Sequence, residues 1–325
     1  MAEILKDINL AARAIREGKL VAFPTETVYG LGADALNPIA VARIFELKER
    51  PSFDPLIVHI SNLSALYKMT DDPNPYISIL AQKFWPGPLT MVLKKSKLVP
   101  DIVTSGLDTV GIRMPDSDIA LQLIKTSNCP IAAPSANKFG KLSPTKAEHV
   151  IGHLSDVDYV IDGGQTTVGI ESTIIALSEN GFRLLRPGVI TRGDIERYVP
   201  YDETHEEGDG VAAPGMMDAH YSPEKPLFLL SDVEGLKLQA QRGIYIQFRN
   251  APPPGFDKVL EMAPGGDLKK YAVRMFSVIH DLQLRNIDFI LVEDLPEKGV
   301  GIAIMDRLRK ASFNHKASVS RFLHK

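Results

Sequence analysis

Residues 20–32, with the sequence LVAFPTETVYGLG, contain the pattern that decides the fold of the first part of this chain. Leu20–Phe23 is a short apolar run that ends at Pro24, as expected for a buried strand that leads into a loop. The nine residues from Pro24 to Gly32 include two threonines and two glycines. Because hydroxyl groups and glycines let a backbone approach phosphate groups closely, this loop is a candidate binding segment.

The segment after this loop predicts a helix whose C-terminal end carries two cations. Pro38 suits a first helical turn, and apolar residues recur at helical spacing after it. The helix must end by Pro51, so Lys48 and Arg50 lie on its last turn and just beyond it. From the sequence, either these cations complement the helix dipole or they bind an anionic ligand.

The rest of the first 200 residues predicts a mixed α/β domain. Strands are expected at Leu56–Ile60, Leu89–Leu93, Thr109–Arg113, Ile131–Ala133, Tyr159–Ile161, Thr173–Ala176 and Phe182–Leu185. Several of these follow one another without an intervening helix, so the pattern differs from a regular βαβ alternation. Ser143 and Pro144 read as the N-cap and first turn of a helix that runs to about Leu154.

The chain divides by charge into two nearly balanced bodies joined by an acidic strip. Residues 1–200 carry a net charge of −1, residues 201–225 carry −6, and residues 226–325 carry +4. The acidic strip is rich in Gly and Pro and predicts a linker. After it, strands at Leu227–Leu230, Ile244–Phe248 and Phe289–Val292 alternate with helices, one of them running through Gln241. This alternation predicts a small parallel α/β domain.

Composition and short motifs exclude several classes of protein. The net charge of −3 and the sequence pI of about 6.3 argue against a protein that grips nucleic acid over its whole surface. The single cysteine, Cys129, allows no internal disulfide, and no apolar run approaches membrane-spanning length. Gly164 and Gly169 have the spacing of a P-loop without its lysine and hydroxyl. We therefore expect a cytoplasmic protein without a P-loop.

Read in order, the motifs of this chain resemble the threonylcarbamoyl-AMP synthase family, whose core is a YrdC-like domain. The motifs of the first domain are PTETVYGLGADA, KERPSFDPLIVHI, FWPGPLT, GIRMP, APSAN, DGG, ESTII and LLRPG. HYSP in the linker and AIMDRLRKAS near the C-terminus extend the resemblance to the long, two-domain members. It implies a YrdC-like domain with a twisted, open mixed sheet and a concave groove over residues 1–200. A linker or lid at 201–225 and a smaller Rossmann-like domain at 226–325 would follow.

The resemblance also implies a reaction. Members of the family join L-threonine, bicarbonate or CO₂, and ATP, the last accompanied by Mg²⁺. The products are threonylcarbamoyl-AMP and pyrophosphate, and a threonylcarbamoyl transferase complex then uses the adenylate to modify tRNA. On this reading the chain needs no bound metal of its own, no stable tRNA complex and no membrane.

The same resemblance assigns site residues. Lys48 and Arg50 would act on the triphosphate as the catalytic cations. The ATP-binding residues would be Lys48, Arg50, Asp54, Thr109, Ala133, Asn137, Ser143, Arg186 and Tyr221. The threonine-binding residues would be Thr27, His59, Arg113, Ser135 and Ser172. Because Tyr221 lies in the linker, that segment is expected to fold over the site as a lid.

One departure from the family and two alternative functions stay open at this stage. Many members have Asn where this chain has Asp54, and a carboxylate suits phosphates only through Mg²⁺ or beside the ribose or another cation. A non-catalytic RNA-binding module would use the groove cations as a track for the RNA backbone, with steep salt dependence. A carbamoyl transferase acting on another acceptor is the second alternative.

Overall fold

The computed structural model describes residues 3–204, 214–215 and 220–322, which form two units. The first unit holds residues 3–139 and 143–215 where they are described, and the second holds 140–142 and 220–322. None of the helices in these ranges is long and apolar enough to cross a membrane. Residues 205–213 and 216–219 of the expected linker lie outside the described residues.

The described part of the first unit is built on a ten-stranded mixed sheet. Its strands are β1 (Glu3–Leu5), β2 (Val21–Pro24), β3 (Tyr29–Asp34), β4 (Ile57–His59), β5 (Leu89–Lys94), β6 (Thr109–Arg113), β7 (Ile131–Ala132), β8 (Tyr159–Ile161), β9 (Thr173–Ser178) and β10 (Gly181–Arg186), in the order β1-β8-β2-β3-β7-β4-β6-β5-β9-β10. Its helices are α1 (Ile8–Arg16), α2 (Pro38–Lys48), α3 (Leu63–Met69), α4 (Tyr76–Phe84), α5 (Asp101–Thr104), α6 (Asp118–Ser127), α7 (Ala147–His153) and α8 (Arg192–Glu196). The neighbouring strands β4 and β6 run parallel, whereas β2 and β3 form an antiparallel hairpin.

Strand β2 shows how the sequence places a core on each face of this sheet. Val21 and Phe23 pack into one apolar cluster with α1 and α6, while Leu20 and Ala22 pack into the cluster on the opposite face. Successive side chains of a strand point to opposite faces, so a strand buried on both sides reads as a continuous apolar run. The predicted strand at Leu20–Phe23 is therefore confirmed.

The second unit contains a four-stranded sheet whose neighbouring strands are all parallel. Its elements are β11 (Leu227–Leu229), β12 (Gly243–Gln247), β13 (Val259–Glu261), β14 (Phe289–Val292), α9 (Leu268–Gln283) and α10 (Val300–Ser312), with short 3₁₀ helices at Leu230–Val233, Ala240–Arg242 and Phe313–Phe322. Its sheet order is β11-β14-β12-β13. The predicted fold class, a mixed α/β domain followed by a small parallel one, is confirmed.

Three local predictions are wrong, for identifiable reasons. The predicted loop Pro24–Gly32 is shorter, because Tyr29 to Gly32 belong to β3 and pair with β2. The helix expected to run through Gln241 is interrupted by a turn in which Glu234 is extended, with ψ of 132°, and Gly235 is left-handed, with φ of 77°. The helix expected to open at Ser143 begins instead at Ala147. The segment before this helix is hydrogen-bonded to strand β3 instead, because the Tyr29 N–H donates to the carbonyl of Pro144 over 2.8 Å.

Candidate active site in the first unit

The turn Thr25–Val28 and the loop Ala133–Asn137 lie side by side in the first unit. Within the β2–β3 hairpin turn, the Thr25 hydroxyl donates to the Val28 carbonyl over 2.7 Å. Next to it, Leu31 donates its N–H to Pro134 and Ala136 donates to Tyr29, each over 2.8 Å. Two motifs about 100 residues apart are thus in contact through their backbones.

Lys48 ties the end of helix α2 to this loop. Its side chain is only 1% exposed, and its Nζ donates to the Ser135 carbonyl over 2.6 Å and also to the Asn137 carbonyl. Burial, helped by the nearby Arg50, lowers the pKa of Lys48 well below its ordinary range. An anion at this point would oppose the shift, because it favours the charged amine. Lys48 therefore both holds the loop in place and can respond to an arriving phosphate.

Arg50 is held in a buried pocket by its own downstream loop. Its Nε donates to the Asp54 carbonyl over 3.0 Å and its Nη2 to the Pro55 carbonyl over 2.8 Å. The Asp54 carboxylate lies 2.9 Å from the same Nη2. Burial raises the pKa of Asp54, while Arg50 acts in the opposite direction. Asp54 thus pairs with the cation Arg50, which is one of the arrangements that allow a carboxylate to lie near phosphate groups.

We expect Asp54→Asn to keep the catalytic efficiency for ATP within about 3-fold of the wild type. The two carbonyl groups that hold Arg50 are backbone atoms and remain in the variant. The measurement is kcat/KM for ATP at saturating threonine. A loss greater than about 30-fold, on the order of 2 kcal/mol, would instead mean that the carboxylate itself is required, for example as a ligand of Mg²⁺.

Arg113, at the end of β6, is the centre of a second cluster. Its Nη1 donates to the Thr27 hydroxyl over 2.9 Å and its Nε to the Gly87 carbonyl over 3.3 Å. The carboxylate of Glu26 lies 2.5 Å from Nη2 as a buried ion pair. Sequence reasoning did not assign Glu26. Its neighbours in the PTET motif offered a hint, but burial of a charge does not show in a sequence.

His59 ends the neighbouring strand β4, where its backbone is in register with Arg113 and with Ile131 of β7. Burial, and secondarily the charge of Arg113, lowers the pKa of His59 from 6.5 to about 3. His59 is therefore neutral at pH 7. The neutral ring offers one hydrogen-bond donor and one acceptor, so it can bind a substrate hydroxyl or carboxylate.

This shift predicts acid sensitivity of folding. Between pH 6.5 and about 3 the unfolded chain binds a proton at His59 that the folded chain does not bind, so stability falls as the pH is lowered through that window. His59→Gln should reduce the slope of unfolding free energy against pH by up to about 1.4 kcal/mol per pH unit. Urea unfolding of both proteins between pH 7 and pH 4 measures this. Equal slopes would show that His59 is protonated in the fold.

A third cluster joins strands β5, β9 and β10. The Ser172 hydroxyl lies 2.8 Å from that of Thr90, and Arg186 donates to both the hydroxyl and the carbonyl of Ser172 over 3.1 Å. In the RPG motif after β10, a Cβ on Gly188 would lie 2.5 Å from the Thr173 nitrogen. Glycine is thus required there for the close approach of the two chains. Ser143, expected to cap a helix, instead donates its hydroxyl to the Glu171 carboxylate.

The structure therefore brings together the segments that carry most of the predicted site residues. Thr27 contacts Arg113, Lys48 contacts the loop of Ser135 and Asn137, and Ser172 contacts Arg186. Ala133 follows β7, and its N–H donates to Ile57.

Two predicted residues lie apart from these contacts. Thr109 begins β6, where it pairs with Lys94 of β5, whereas Arg113 ends the strand. At about 3.3 Å per residue the two are roughly 13 Å apart. Tyr221 belongs to the second unit, where its ring packs against His220 and Phe276 and under the guanidinium of Arg307.

Part of the expected linker lies within the described residues. Tyr201 pairs with Phe182 of β10, Asp202 donates its N–H to the same residue, and the Ser178 hydroxyl lies 2.5 Å from the Asp202 carboxylate. The start of the acidic strip thus packs on the first unit. Among the described residues, no three His, Cys, Asp or Glu side chains are grouped so that they could hold a metal ion.

Matches to known proteins cover both units. Residues 13–188 match the Sua5, YciO and YrdC family model, whose description is telomere recombination, and residues 190–312 match the model of the threonylcarbamoyl-AMP synthase C-terminal domain. The threonylcarbamoyl-AMP synthase of Pyrococcus abyssi is 43% identical over 321 residues, which cover 94% of each chain. This chain belongs to the threonylcarbamoyl-AMP synthase family.

Other members of the threonylcarbamoyl-AMP synthase family support this placement. The Bacillus subtilis enzyme is 41% identical, covering 94% of this chain and 92% of its own. Among solved structures, the crystal structure of Pyrococcus abyssi Sua5 complexed with L-threonine matches with a TM-score of 0.84 and 40% identity, covering 97% of this chain and 98% of that one. The family match thus extends over both units rather than over the first alone.

Proposed function

We propose that this chain makes threonylcarbamoyl-AMP and pyrophosphate from L-threonine, bicarbonate or CO₂, and ATP. The observation that carries the proposal is the match to named threonylcarbamoyl-AMP synthases over 94% of the chain, with a buried cluster of cations and hydroxyls at the matched motifs. Threonine's amine becomes a carbamate, a carbamate oxygen attacks the α-phosphate, and pyrophosphate leaves. Attack at phosphorus depends on positioning and charge stabilisation, which this cluster can supply without a protein nucleophile.

In this proposal the cluster around Lys48 binds ATP and the cluster around Arg113 binds threonine. Lys48 and Arg50 take the triphosphate, while Asn137, Ser143 and Arg186 complete its binding. Arg113 binds the α-carboxylate of threonine, because a guanidinium has five donors in a fork that matches a carboxylate. Thr27, His59, Ser135 and Ser172 then surround the rest of the amino acid. Thr109 and Ala133 remain proposed ATP contacts, Ala133 through its backbone.

In this proposal Mg²⁺ binds together with ATP. Two buried carboxylates near the site already have partners: Asp54 pairs with Arg50, and Glu171 accepts from Ser143. Mg²⁺ commonly keeps several waters and binds through substrate phosphates. The residues present therefore fit an ion held mainly by the triphosphate and water.

Tyr221 is a proposed ATP contact of a different kind. Its backbone has φ of 61°, a left-handed conformation that is costly for a residue with a side chain and is often found at functional segments. Its ring is buried against Phe276 of the same unit. Tyr221→Ala should raise KM for ATP about 10-fold, on the order of 1.4 kcal/mol, and Tyr221→Phe should raise it less. Unchanged KM in both variants would limit Tyr221 to a packing role.

The reaction is tested by incubating the protein with ATP, Mg²⁺, bicarbonate and L-threonine and measuring pyrophosphate. Release should require threonine and should fall when bicarbonate is removed. Release that is indifferent to threonine would contradict the proposal. RNA binding alone is not favoured, because Lys48, Arg50, Arg113 and Arg186 are buried and do not form an exposed track for an RNA backbone.

The proposal extends to the fate of the product. Threonylcarbamoyl-AMP is a mixed anhydride, so we propose that a threonylcarbamoyl transferase acting on tRNA consumes it, in the cytoplasm. This chain itself would make no stable complex with tRNA. Its cations serve a small anionic substrate, and the acidic side chains of residues 201–225 would repel a polyanion.

A further inference from the structure

Glu26 is a buried carboxylate whose surroundings do not satisfy it. Only 6% of the residue is exposed, and it lies in the β2–β3 hairpin turn beside Thr27. Its Oε1 is 2.5 Å from Arg113 Nη2, but neither of its carboxylate oxygens accepts a hydrogen bond from any residue that the structure describes. The two groups attract as charges, while the N–H direction misses the oxygen. A carboxylate has about four acceptor positions, and buried groups left in this state call for a ligand or another explanation.

The position of Glu26 is fixed by its backbone. Val168 donates its N–H to the Glu26 carbonyl over 2.7 Å, and Gly169 donates to the Thr27 carbonyl over 3.1 Å. On the opposite side, Arg113 is fixed by Thr27 and Gly87. The cation and the carboxylate are therefore held side by side, since Thr27 of the same turn also contacts Arg113. A buried pair of this kind adds little stability by itself, because desolvation offsets the attraction.

An amino acid presents the complementary pair of charges. Its α-carboxylate and α-ammonium are attached to the same carbon, so neighbouring guanidinium and carboxylate groups can bind both at once. Arg113 has five N–H donors, of which Thr27 and Gly87 use two, so donors remain for an α-carboxylate. The ammonium would bring three N–H donors to the oxygens of Glu26.

We infer that Glu26 binds the α-ammonium of threonine while Arg113 binds its α-carboxylate. The inference rests on the proposed threonine-dependent function. It makes Glu26 a substrate-binding residue that selects α-amino acids over carboxylic acids that lack the α-amine. It also holds the nitrogen that must become the carbamate at a fixed point beside the Lys48 loop.

The test compares two ligands that differ only at the α-carbon. L-Threonine carries the ammonium, and (R)-3-hydroxybutyrate keeps the carboxylate and the β-hydroxyl without it. Wild-type protein should bind threonine at least about 10-fold more tightly. Glu26→Gln should weaken the binding of threonine by on the order of 10- to 100-fold and leave the affinity for hydroxybutyrate within about 3-fold of the wild type. Dissociation constants come from equilibrium dialysis of labelled threonine and from its competition by hydroxybutyrate.

Asp158→Asn is the matched control, because Asp158 is also a carboxylate paired with an arginine, Arg43, at 2.9 Å. It should change neither affinity beyond about 3-fold. If Glu26→Gln weakens the binding of both ligands equally, Glu26 only orients Arg113 and the inference is wrong. The inference is also wrong if the variant weakens the binding of neither ligand. If that variant does not fold, equal affinity of the wild type for the two ligands overturns the inference. A wild type that binds no threonine refutes the proposed function instead.

Discussion

Lys48→Met should reduce kcat/KM for ATP by on the order of 10²- to 10³-fold, the scale seen when one preorganised donor is removed from developing charge. Methionine fills a similar volume but cannot donate to the carbonyls of Ser135 and Asn137, which Lys48 now joins to the end of helix α2. The anchoring of the loop and the charge that we propose for the triphosphate are thus lost together. Steady-state pyrophosphate release with varied ATP measures the effect.

Lys138→Met is the control for this substitution. Lys138 lies in the same loop, but its amine pairs with Glu49 at 2.7 Å on the surface, where such a pair contributes little. It should stay within about 2-fold of the wild type. Comparable losses in the two variants would mean that positive charge near the loop matters in general and that the buried position of Lys48 has no special role.

Arg113→Lys should raise KM for threonine by on the order of 10²-fold while changing KM for ATP little. Lysine keeps the charge but is a point donor on a flexible stem. It cannot contact Thr27, Gly87 and a substrate carboxylate in the fixed geometry that the guanidinium provides. Kinetics with each substrate varied in turn separate the two KM values.

Arg43→Lys provides the comparison for Arg113. Arg43 also joins a carbonyl, that of Gly18, to a carboxylate, that of Asp158. Because it contacts none of the predicted site residues among its described hydrogen bonds, its replacement should leave both KM values within about 2-fold. If Arg113→Lys raises KM for ATP as strongly as KM for threonine, the assignment of Arg113 to the amino acid is wrong.

The sequence predicted the strands well where burial makes them continuous apolar runs, as at Phe289–Val292. It failed where a local signal was overruled by tertiary pairing. Ser143 and Pro144 look like a helix start, but pairing with Tyr29 keeps that segment extended and the hydroxyl turns to Glu171. Beyond Leu230, a turn at Glu234 and Gly235 ends the helical pattern.

For the site, the ordered motifs predicted which segments matter but not how their charges are arranged. Lys48 was expected to meet the triphosphate, and its capping of two backbone carbonyls emerges only in three dimensions. The pairing of Asp54 with Arg50 had been one of several open options. Glu26 escaped notice because a charged residue between two threonines in a loop normally faces solvent, and only the fold buries it.

We expect this chain to join threonine, a bicarbonate-derived carbon and AMP in one molecule. The most direct test is mass spectrometry of the product formed from ATP, L-threonine and ¹³C-bicarbonate. We expect an adduct of one AMP, one threonine and one carboxyl carbon, heavier by one mass unit with the label, and formed on the order of 10²- to 10³-fold more slowly with Lys48→Met. An adduct of AMP and threonine that carries no label would contradict this expectation.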